Sequence, residues 1–535
     1  MLNLLGKLWL IGAVVLPLMS AIVPAIGRRG RDRRCRTSAA LGWSGAVLAM
    51  AAALWVALRG PFTVVLAIGG GRPLAGLWAN QLTVTLLVVV CVVGAVVQSF
   101  SLRYLQGDRS APRFFAATNV VVAAMAVVCT SATVAVLVVA WVSAGMAFVM
   151  VVGSRPDLPG VRAATRNTLR MFAAGDLALV AALAVVWLRD GNVDLASALG
   201  LRSAAEHLGS MTTLVTVLVA VAALTRSAQG PLGRWLPGTV AAPTPASALL
   251  HAGVVNGGGI LLVRLAGLTG GSELVMVGVF SVAGVTAAAA AVQMAHKPDV
   301  KGSLVHSTIS QMGFMVTECA VGAYLAAVVH LIGHALYKAT LFFGSGSQVP
   351  RAGQLPRGSD RTIPMSLRML ATAATTAATL GAMACVPRVL TARAAAVLLV
   401  FVAATVASAS WAWWSRGPMA ARWAALWAVA LVVAGVLYGL AVAVLGSWIA
   451  LALPPPGPGT LNPWWLSGVA GTGLVAAGLA RLPSARRRVV AVLVDAGAAP
   501  LHLPARGAGW ARRDLRNGRP VSIPEQVGLW DTSAA

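Results

Sequence analysis

Three basic side chains lie at helical spacing within one apolar segment, HLIGHALYKATLFF, which holds His330, His334 and Lys338. On an α-helix, a step of four residues rotates the side chain by only about 40°, so the three groups share one face. Imidazole exchanges protons near neutral pH, and lysine, unlike arginine, can release its proton. The spacing therefore predicts a proton relay, and the alternative is that these groups only hydrogen-bond to neighbouring helices.

The lysine of this segment is unusual for the chain. Lysine occurs at four positions, Lys7, Lys297, Lys301 and Lys338, whereas arginine occurs at 37. A charged side chain near the middle of a bilayer costs roughly 2.5–3.5 kcal/mol on insertion. We therefore interpret Lys338 as a functional group that must be able to give up its proton.

Further polar groups lie in other apolar segments. His251 is found in TPASALLHAGVVNGGGILLVRL and His306 in VKGSLVHSTISQMGF, and five of the seven histidines fall between residues 251 and 334. This concentration favours one shared polar path over isolated structural histidines. Asp176, in MFAAGDLAL, is a candidate member of the path, or it forms a structural ion pair with Arg170. Glu318 marks either an exit from the path or a solvated helix end.

A broken helix is predicted after Arg226, which ends a long apolar run. Gly230, Pro231 and Gly233 interrupt the helical hydrogen bonds there, and a short second helical piece is expected through Trp235. Helices broken at membrane depth are tolerated where they line a buried or wet cavity. The segment is therefore a candidate cation or proton station.

The elements that carry these groups are predicted to be membrane helices. Of 535 residues, 58% are hydrophobic and only 10% are charged, which excludes an ordinary soluble fold. The apolar stretches run for about 20 residues without alternation, so helices are favoured over a barrel. We predict an all-α, polytopic membrane protein with about 14–15 transmembrane helices. The candidate spans begin near Leu8, Ser38, Leu82, Phe114, Thr133, Thr168, Met211, Ala246, Leu274, Leu304, Tyr324, Met365, Ala394, Trp423 and Trp464.

The net charge of +26 arises largely from the connections between spans, so a nucleic-acid partner is not predicted. Arginine and lysine collect in every second connection, beginning with the one after the first span. This pattern predicts an N-terminus outside and a C-terminus in the cytoplasm of a bacterial inner membrane. The tail from Arg481 adds nine arginines and is expected to bind anionic lipid of the bilayer or to dock a partner.

Cofactor chemistry is not predicted for this chain. The five cysteines are scattered, without CxxC or cysteine–histidine ligand spacing, so neither a metal site nor a disulfide scaffold is expected. No glycine-rich nucleotide-binding pattern is present.

Three stretches together resemble the proton-conducting antiporter-like membrane family, which includes subunit L of complex I, the large Mrp subunit and DabB. They are RSAQGPLGRWLPGTVAAPTPASALLHAGVV, KPDVKGSLVHSTISQMGF and HLIGHALYKATLFFGSGS. The resemblance covers about residues 82–348, and the HAGVVNGGGILLVRL and GSGS sequences look most like DabB. It implies four parts: N-terminal helices (1–81), an antiporter-like proton-conducting core (82–348), C-terminal helices (349–481) and a basic cytoplasmic tail (482–535).

The resemblance also implies roles for individual residues. Two departures accompany them: Val142 stands where the family has a glutamate in its fifth span, and the twelfth span, MLATAATTAATLGAMACV, has no lysine. Both departures favour a DabB-like or degenerate variant over a respiratory pump. The implied proton-path residues are Lys338 as the central lysine, His330 and His334 as the histidine relay, His251 as the histidine of span eight, Arg226 in place of the lysine of the broken helix, and Asp176 as the acidic residue of span six. His306 of span ten is added to this path because the histidines concentrate there.

The function implied by the likeness to DabB is membrane transport of inorganic carbon. The chain would conduct protons or Na⁺ and energise a DabA-like, zinc-binding soluble subunit on the cytoplasmic face, similar to a β-carbonic anhydrase. On this reading the chain itself is not an enzyme. The alternatives are a cation/proton-translocating subunit of a complex I or Mrp-type assembly, and a membrane scaffold whose path has decayed, which Val142 would support.

Overall fold

The computed structural model describes residues 2–26, 30–68, 72–195, 198–297, 299–345, 364–384 and 423–462, with a few single residues between 402 and 465. Some predictions concern the remainder of the chain. The spans expected near Ala394 and Trp464, the arginine-rich connections at Arg351–Arg361 and Arg416, and the tail from Arg481 all lie outside the described residues.

Helices form at the predicted spans of the N-terminal half. Apolar runs without helix breakers favour this, and a side chain also caps one start: Asn80 and Thr83 exchange hydrogen bonds of 2.8 and 2.9 Å at the start of the third helix. The helices are α1 (Leu2–Ile26), α2 (Arg31–Arg59), α3 (Gln81–Tyr104), α4 (Ala111–Thr130), α5 (Val134–Val152), α6 (Val161–Asp190), the short α7 (Ala198–Leu208) and α8 (Thr212–Arg226).

The second half continues with helices at the predicted spans within the described residues. Eleven helical stretches in the described part of the chain are long and apolar enough to cross a membrane. They correspond to predicted spans one to nine, eleven and fourteen. Helices also form at spans ten and twelve, but polar side chains lower their hydropathy. The second-half helices are α9 (Thr244–Ala252), α10 (Gly257–Arg264), α11 (Ala266–Thr269), α12 (Glu273–His296), α13 (Val300–Ala320), α14 (Tyr324–Gly344), α15 (Met365–Ala384) and α16 (Ala424–Ile449).

The break after Arg226 forms as predicted. α8 ends at Arg226 and is followed by two short 3₁₀ turns, Gly230–Gly233 and Pro237–Ala241. Span eight forms at its predicted place, but with an interruption that was not predicted from the sequence. Its helix stops at Ala252, passes through a 3₁₀ turn and resumes as α10, because a run of glycines weakens the helix there.

A small hairpin accompanies the helices, which otherwise match the predicted all-α class. Strands β1 (Phe62–Ile68) and β2 (Arg72–Ala79) pair in antiparallel fashion. Ala132, between α4 and α5, extends this pairing by donating a 2.8 Å hydrogen bond to Gly76. Alternating apolar residues around GGGR could have indicated these strands. The segment is so apolar overall that this alternation was not recognised.

The outer surface of the helices is apolar, which fits a lipid environment. Leu188 and Leu274 are 82% and 78% exposed, and Leu336 and Tyr337 of α14 are about half exposed. Water would penalise so many exposed apolar side chains, whereas lipid does not. The protein is therefore a multi-pass membrane protein.

Connections that were predicted to lie on one side of the membrane meet at one end of the fold. Arg31 donates a 3.2 Å hydrogen bond to the α3–α4 connection, and Arg155 of the α5–α6 connection pairs with Asp108. Asn167 donates a 3.0 Å hydrogen bond to the backbone of Arg234, after α8. We call this end the basic end. Its assignment to the cytoplasm stays a prediction from the charge pattern.

At the other end, residues 450–462 return onto the core after α16. Gly459 donates a 2.6 Å hydrogen bond to the carbonyl of Gly270, just before α12. Leu461 donates a 3.0 Å bond to the carbonyl of Ala320, the last residue of α13. We call this segment the C-terminal clasp, since it satisfies carbonyls that the helix ends leave open.

A cluster of charges at the basic end predicts a pH dependence. Burial alone would raise the pKa of Asp108, but hydrogen bonds from Ser110 and the charge of Arg155 lower that pKa below its usual range. A hydrogen bond from Arg155 likewise lowers the pKa of Asp157. Because both carboxyl pKa values are lowered on folding, their stabilisation is complete above the ordinary pKa of about 3.9 and is lost as the pH falls through the lower folded values.

We therefore expect Arg155→Gln to lower the thermal midpoint of the detergent-solubilised protein at pH 7, by an amount that corresponds to about 1 kcal/mol or less. The difference from the wild type should shrink as the pH falls below about 4. Arg166→Gln is a matched control, because Arg166 is exposed and forms no ion pair among the described residues. A difference that is the same at pH 7 and pH 3 would contradict this account.

Candidate functional site

The three basic groups of α14 lie on the buried side of the helix. His330, His334 and Lys338 are 7%, 3% and 0% exposed, whereas the lipid-facing residues Leu336 and Tyr337 are about half exposed. The helical repeat explains this division, because residues four apart share a face. The structure thus places two imidazoles and an ammonium group in line within the protein.

A buried carboxylate continues this line. Glu318 of α13 is 0% exposed, and its Oε2 lies 3.1 Å from Nδ1 of His330. Its second oxygen, Oε1, is buried without a hydrogen-bond partner among the described residues. The solvated helix end considered for Glu318 is therefore wrong, because α14 and its neighbours cover the side chain. A carboxylate within an apolar helix was the signal available in the sequence.

An amide side chain holds the second histidine. Oε1 of Gln311 lies 2.6 Å from Nδ1 of His334, and the rings of His330 and His334 are 6.3 Å apart between centroids. Gln311 and Glu318 stand seven residues apart, so they face α14 two turns from each other. Gln311 was not recognised in the sequence, since a glutamine gives no signal without knowledge of the partner helix.

The ammonium group of Lys338 has few partners. Nζ donates a 3.3 Å hydrogen bond to the carbonyl of Leu304, and no carboxylate pairs with it among the described residues. His251 and His334 lie close enough to Lys338 to interact with its charge, and these three groups are called the Lys338 unit.

His251 joins this unit from α9. Its ring stacks on Phe342 with centroids 4.4 Å apart and an angle of 5° between the planes. The ring is 0% exposed, and neither Nδ1 nor Nε2 has a hydrogen-bond partner in the described part of the chain. Buried polar atoms of this kind normally bond to protein or to water. The ring is thus held by stacking, and no described residue hydrogen-bonds to its two nitrogens.

His306 is held differently from the other predicted histidines. It is 3% exposed, and its Nδ1 lies 2.8 Å from the carbonyl of Gly302, one turn earlier in α13. The charges of Lys297 and Asp299, near the start of the same helix, act on the ring. His306 therefore lies toward the α12–α13 connection, two residues after the carbonyl that binds Lys338.

A second charged cluster surrounds Arg226 at the end of α8. Its guanidinium lies 4.3 Å from the ring centroids of both Trp141 and Phe172, so it is sandwiched between two aromatic faces. Nη2 donates a 2.7 Å hydrogen bond to Asp176, which completes an ion pair between a buried guanidinium and a carboxylate that is 14% exposed. The pair with Arg170, considered from the sequence, is not the one that forms: Asp176 faces α8.

Glycine allows the backbone to approach this cluster. A Cβ at Gly145 would lie 2.9 Å from Nη2 of Arg226, and one at Gly257 would lie 3.2 Å from its Cγ. At Gly258 a Cβ would lie 2.3 Å from the carbonyl of Ala223, so that position admits only hydrogen. The glycine run that interrupts span eight therefore also lets α10 pack against α8.

Val142 does not face Arg226. Its side chain lines an outward groove of α5, whereas its neighbour Trp141 contacts the guanidinium. The carboxylate that pairs with Arg226 comes from Asp176 of α6 instead. The departure at Val142 therefore does not leave Arg226 without an acid.

The broken segment after Arg226 reaches the histidine line through Gln229. Its Nε2 donates hydrogen bonds of 2.6 Å to the carbonyl of Ser227 and 3.2 Å to the carbonyl of Ile309 in α13. Ile309 is two residues from Gln311, the partner of His334. Gln229 is thus a bridge between the two clusters that the sequence did not single out.

The arrangement is suited to moving protons or cations. It holds carboxyl, imidazole and ammonium groups in a buried row, with an ion pair beside it. Among the described residues, no group of three or more His, Cys, Asp or Glu side chains could hold a metal ion.

Two family models match the chain. One, described as "NADH:quinone oxidoreductase/Mrp antiporter, TM", matches residues 131–415, which is more than half of the chain. The other, described as "NADH-Ubiquinone oxidoreductase (complex I), chain 5 N-terminus", matches residues 66–115.

Curated relatives give a similar result. The probable inorganic carbon transporter subunit DabB1 of Halothiobacillus neapolitanus is 35% identical over 349 residues, covering 64% of this chain and 62% of that protein. Subunit DabB of Bacillus anthracis is 36% identical over 49% of this chain and 51% of its own length. NADH-quinone oxidoreductase subunit L of Mycobacterium tuberculosis is 31% identical over 52% and 44%, respectively. The chain thus spans less than two thirds of the length of these relatives.

A solved structure supports the fold. The Mrp complex from Dietzia sp. matches with a TM-score of 0.63 and 24% identity, covering 96% of this chain and 59% of the chain in that complex. At this identity the likeness concerns the fold alone.

Proposed function

Because the chain belongs to the NADH:quinone oxidoreductase/Mrp antiporter family of membrane proteins, we propose that it conducts protons or Na⁺ across the membrane. The observation that carries this proposal is the buried row formed by Glu318, His330, His334 and Lys338. Ionisable groups inside a membrane cost free energy. A row of four such groups, in which Glu318 contacts His330 directly, therefore favours a role in transport over a purely structural role.

The residues of the buried row would have different roles, according to the chemistry of their side chains. Lys338 would alternate between its charged and neutral states, and His334 and His251, on which its charge acts, would exchange protons with it. Glu318 and His330 would continue the path toward the end of the fold that carries the C-terminal clasp. Water is the natural partner for the nitrogens of His251.

Two further groups would serve the path at its edges. His306 would give access from the α12–α13 connection. The ion pair of Arg226 and Asp176 would set the local field, and Gln229 would connect it mechanically to α13. Arginine holds its proton too strongly to take part in exchange itself.

The more specific proposal is a membrane subunit of an inorganic-carbon accumulation system. It is supported by the curated DabB relatives, to which the chain is 35% and 36% identical. The conducted ion would energise a DabA-like, zinc-binding, carbonic-anhydrase-like partner on the cytoplasmic face, and the covalent chemistry would occur in that partner. The chain would lie in the bacterial inner membrane with its basic end toward this partner.

A second candidate is a cation/proton-translocating subunit of a complex I or Mrp-type assembly. It is favoured by the match to subunit L of Mycobacterium tuberculosis and by the fold of the Dietzia Mrp complex. Purification from a gentle detergent would distinguish the two. One large soluble zinc protein in the eluate supports the first, and several small membrane subunits support the second.

The function can be tested in a host that lacks carbonic anhydrase and cannot grow in air. We expect co-expression of the wild-type chain with its soluble partner to restore growth, and Glu318→Gln to reduce the restored rate by about tenfold or more, because glutamine cannot carry a proton. Glu273→Gln is the matched control, since Glu273 is exposed at the start of α12. Full growth rescue by Glu318→Gln would show that the carboxylate of Glu318 is not part of the proton path.

A further inference from the structure

A long apolar groove runs along the outer surface between α1, α4 and α5. Its volume is about 1270 Å³, and a second groove of about 450 Å³ shares Leu18, Val120 and Ser143 with it. Met146 and Met150 of α5 form part of the wall. Pockets for small-molecule ligands measure roughly 300–1,000 Å³, so this groove suits a longer apolar molecule.

Three arginines from separate elements line the groove at the basic end. They are Arg34 of α2, Arg109 of the α3–α4 connection and Arg113 of α4. None of them forms an ion pair among the described residues, and the nearby carboxylate of Asp108 already binds Arg155. One end of the apolar groove therefore carries three guanidinium groups that pair with no carboxylate in the described part of the chain.

The buried part of this cluster also has an open hydrogen-bonding position. Nη1 of Arg34 donates a 2.9 Å bond to the carbonyl of Pro24, but its Nε is buried without a partner in the described part of the chain. A buried donor normally finds an acceptor. Phosphate oxygens are acceptors that the planar guanidinium matches especially well.

We propose that this groove is a binding site for an anionic phospholipid. The phosphate lies against Arg34, Arg109 and Arg113, and the acyl chains run along the apolar walls toward Ser143. The combination of a polar, cationic mouth and an apolar tail region matches an anionic lipid better than a zwitterionic one, whose headgroup brings its own cation. The groove lies apart from the buried row that contains Lys338, and the proposal does not depend on the identity of the soluble partner.

The bound lipid would also stabilise the packing of α5 against the Arg226 cluster. α5 presents Val142 and Met146 to the groove, while their neighbours Trp141 and Gly145 face Arg226 on the adjoining side of the same helix. A filled groove therefore packs α5 against the guanidinium, and removal of the lipid should lower the thermal stability of the protein.

The proposal can be tested by native mass spectrometry of the full chain in detergent with phosphatidylglycerol or phosphatidylcholine. We expect the wild type to retain phosphatidylglycerol at least about tenfold more strongly, since the three arginines attract the anionic headgroup. The triple variant R34Q/R109Q/R113Q should lose this preference. The control R103Q/R166Q/R170Q removes three other exposed arginines and should keep it.

A second variant keeps the proposal testable if the triple variant does not fold. Ser143→Trp fills the place where the two grooves meet, at an exposed position, and should weaken phosphatidylglycerol binding while all three arginines remain. Equal retention of the two lipids by the wild type would overturn the proposal, as would unchanged lipid preference in both variants. Loss of a co-purifying protein without loss of lipid would show that the groove is a protein interface instead.

Discussion

Replacement of Lys338 by alanine is expected to abolish ion conduction and growth rescue while the partner subunit still assembles. The side chain is fully buried, bonds only to the carbonyl of Leu304 among the described residues, and acts on His251 and His334. General acid–base groups contribute about 10²–10⁴-fold to rates, so we expect proton flux into proteoliposomes to fall at least about 100-fold.

Two further variants separate proton exchange from charge. Lys338→Arg keeps the cation but cannot release a proton, so it should be as inactive as the alanine variant. Lys7→Ala removes a half-buried lysine of α1, outside the row, and should leave most of the flux intact. If Lys338 and His334 could be replaced together without loss of growth rescue, the path would be a structural relic and the protein a scaffold.

Breaking the Arg226–Asp176 pair should cause the largest loss of stability in the core. Asp176→Ala would leave a guanidinium that is 2% exposed without its carboxylate. Removal of one partner from a buried ion pair costs about 3–5 kcal/mol, because the remaining charge is uncompensated. Thermal unfolding in detergent should therefore show a lower midpoint for Asp176→Ala and for Arg226→Ala.

The double variant Asp176→Leu with Arg226→Met provides the decisive comparison. Both charges are removed together, so much of the lost stability should return. Arg170→Ala is the matched control, since Arg170 is exposed on the same helix as Asp176, and it should change stability by less than about 0.5 kcal/mol. Equal losses for Arg170→Ala and Arg226→Ala would mean that Asp176 has no preferred partner.

Local periodicity explains what the sequence could predict. Apolar runs of about 20 residues located the helices, and glycine and proline located the break after Arg226. The shared face of His330, His334 and Lys338 follows from the helical repeat alone. Their burial followed from the cost of exposing such groups to lipid.

Contacts between distant segments could not be predicted in the same way. Asp176 and Arg226 are 50 residues apart, so the nearer Arg170 was an equally reasonable partner until the packing of α6 on α8 was known. The same holds for Glu318 and for Gln311, whose roles depend on which face of α13 meets α14. Val142 shows a related limit, because matching a position along a helix does not reveal the direction of its side chain.

The C-terminal clasp has a consequence for biogenesis. The carbonyl of Ala320, two residues beyond Glu318, accepts its hydrogen bond from Leu461. On the ribosome, α13 and α14 therefore enter the membrane well before the residue that closes this end has been translated. Maturation of the row of ionisable groups is thus a late event, and a chain shortened before residue 461 would insert its helices but leave that end unsealed.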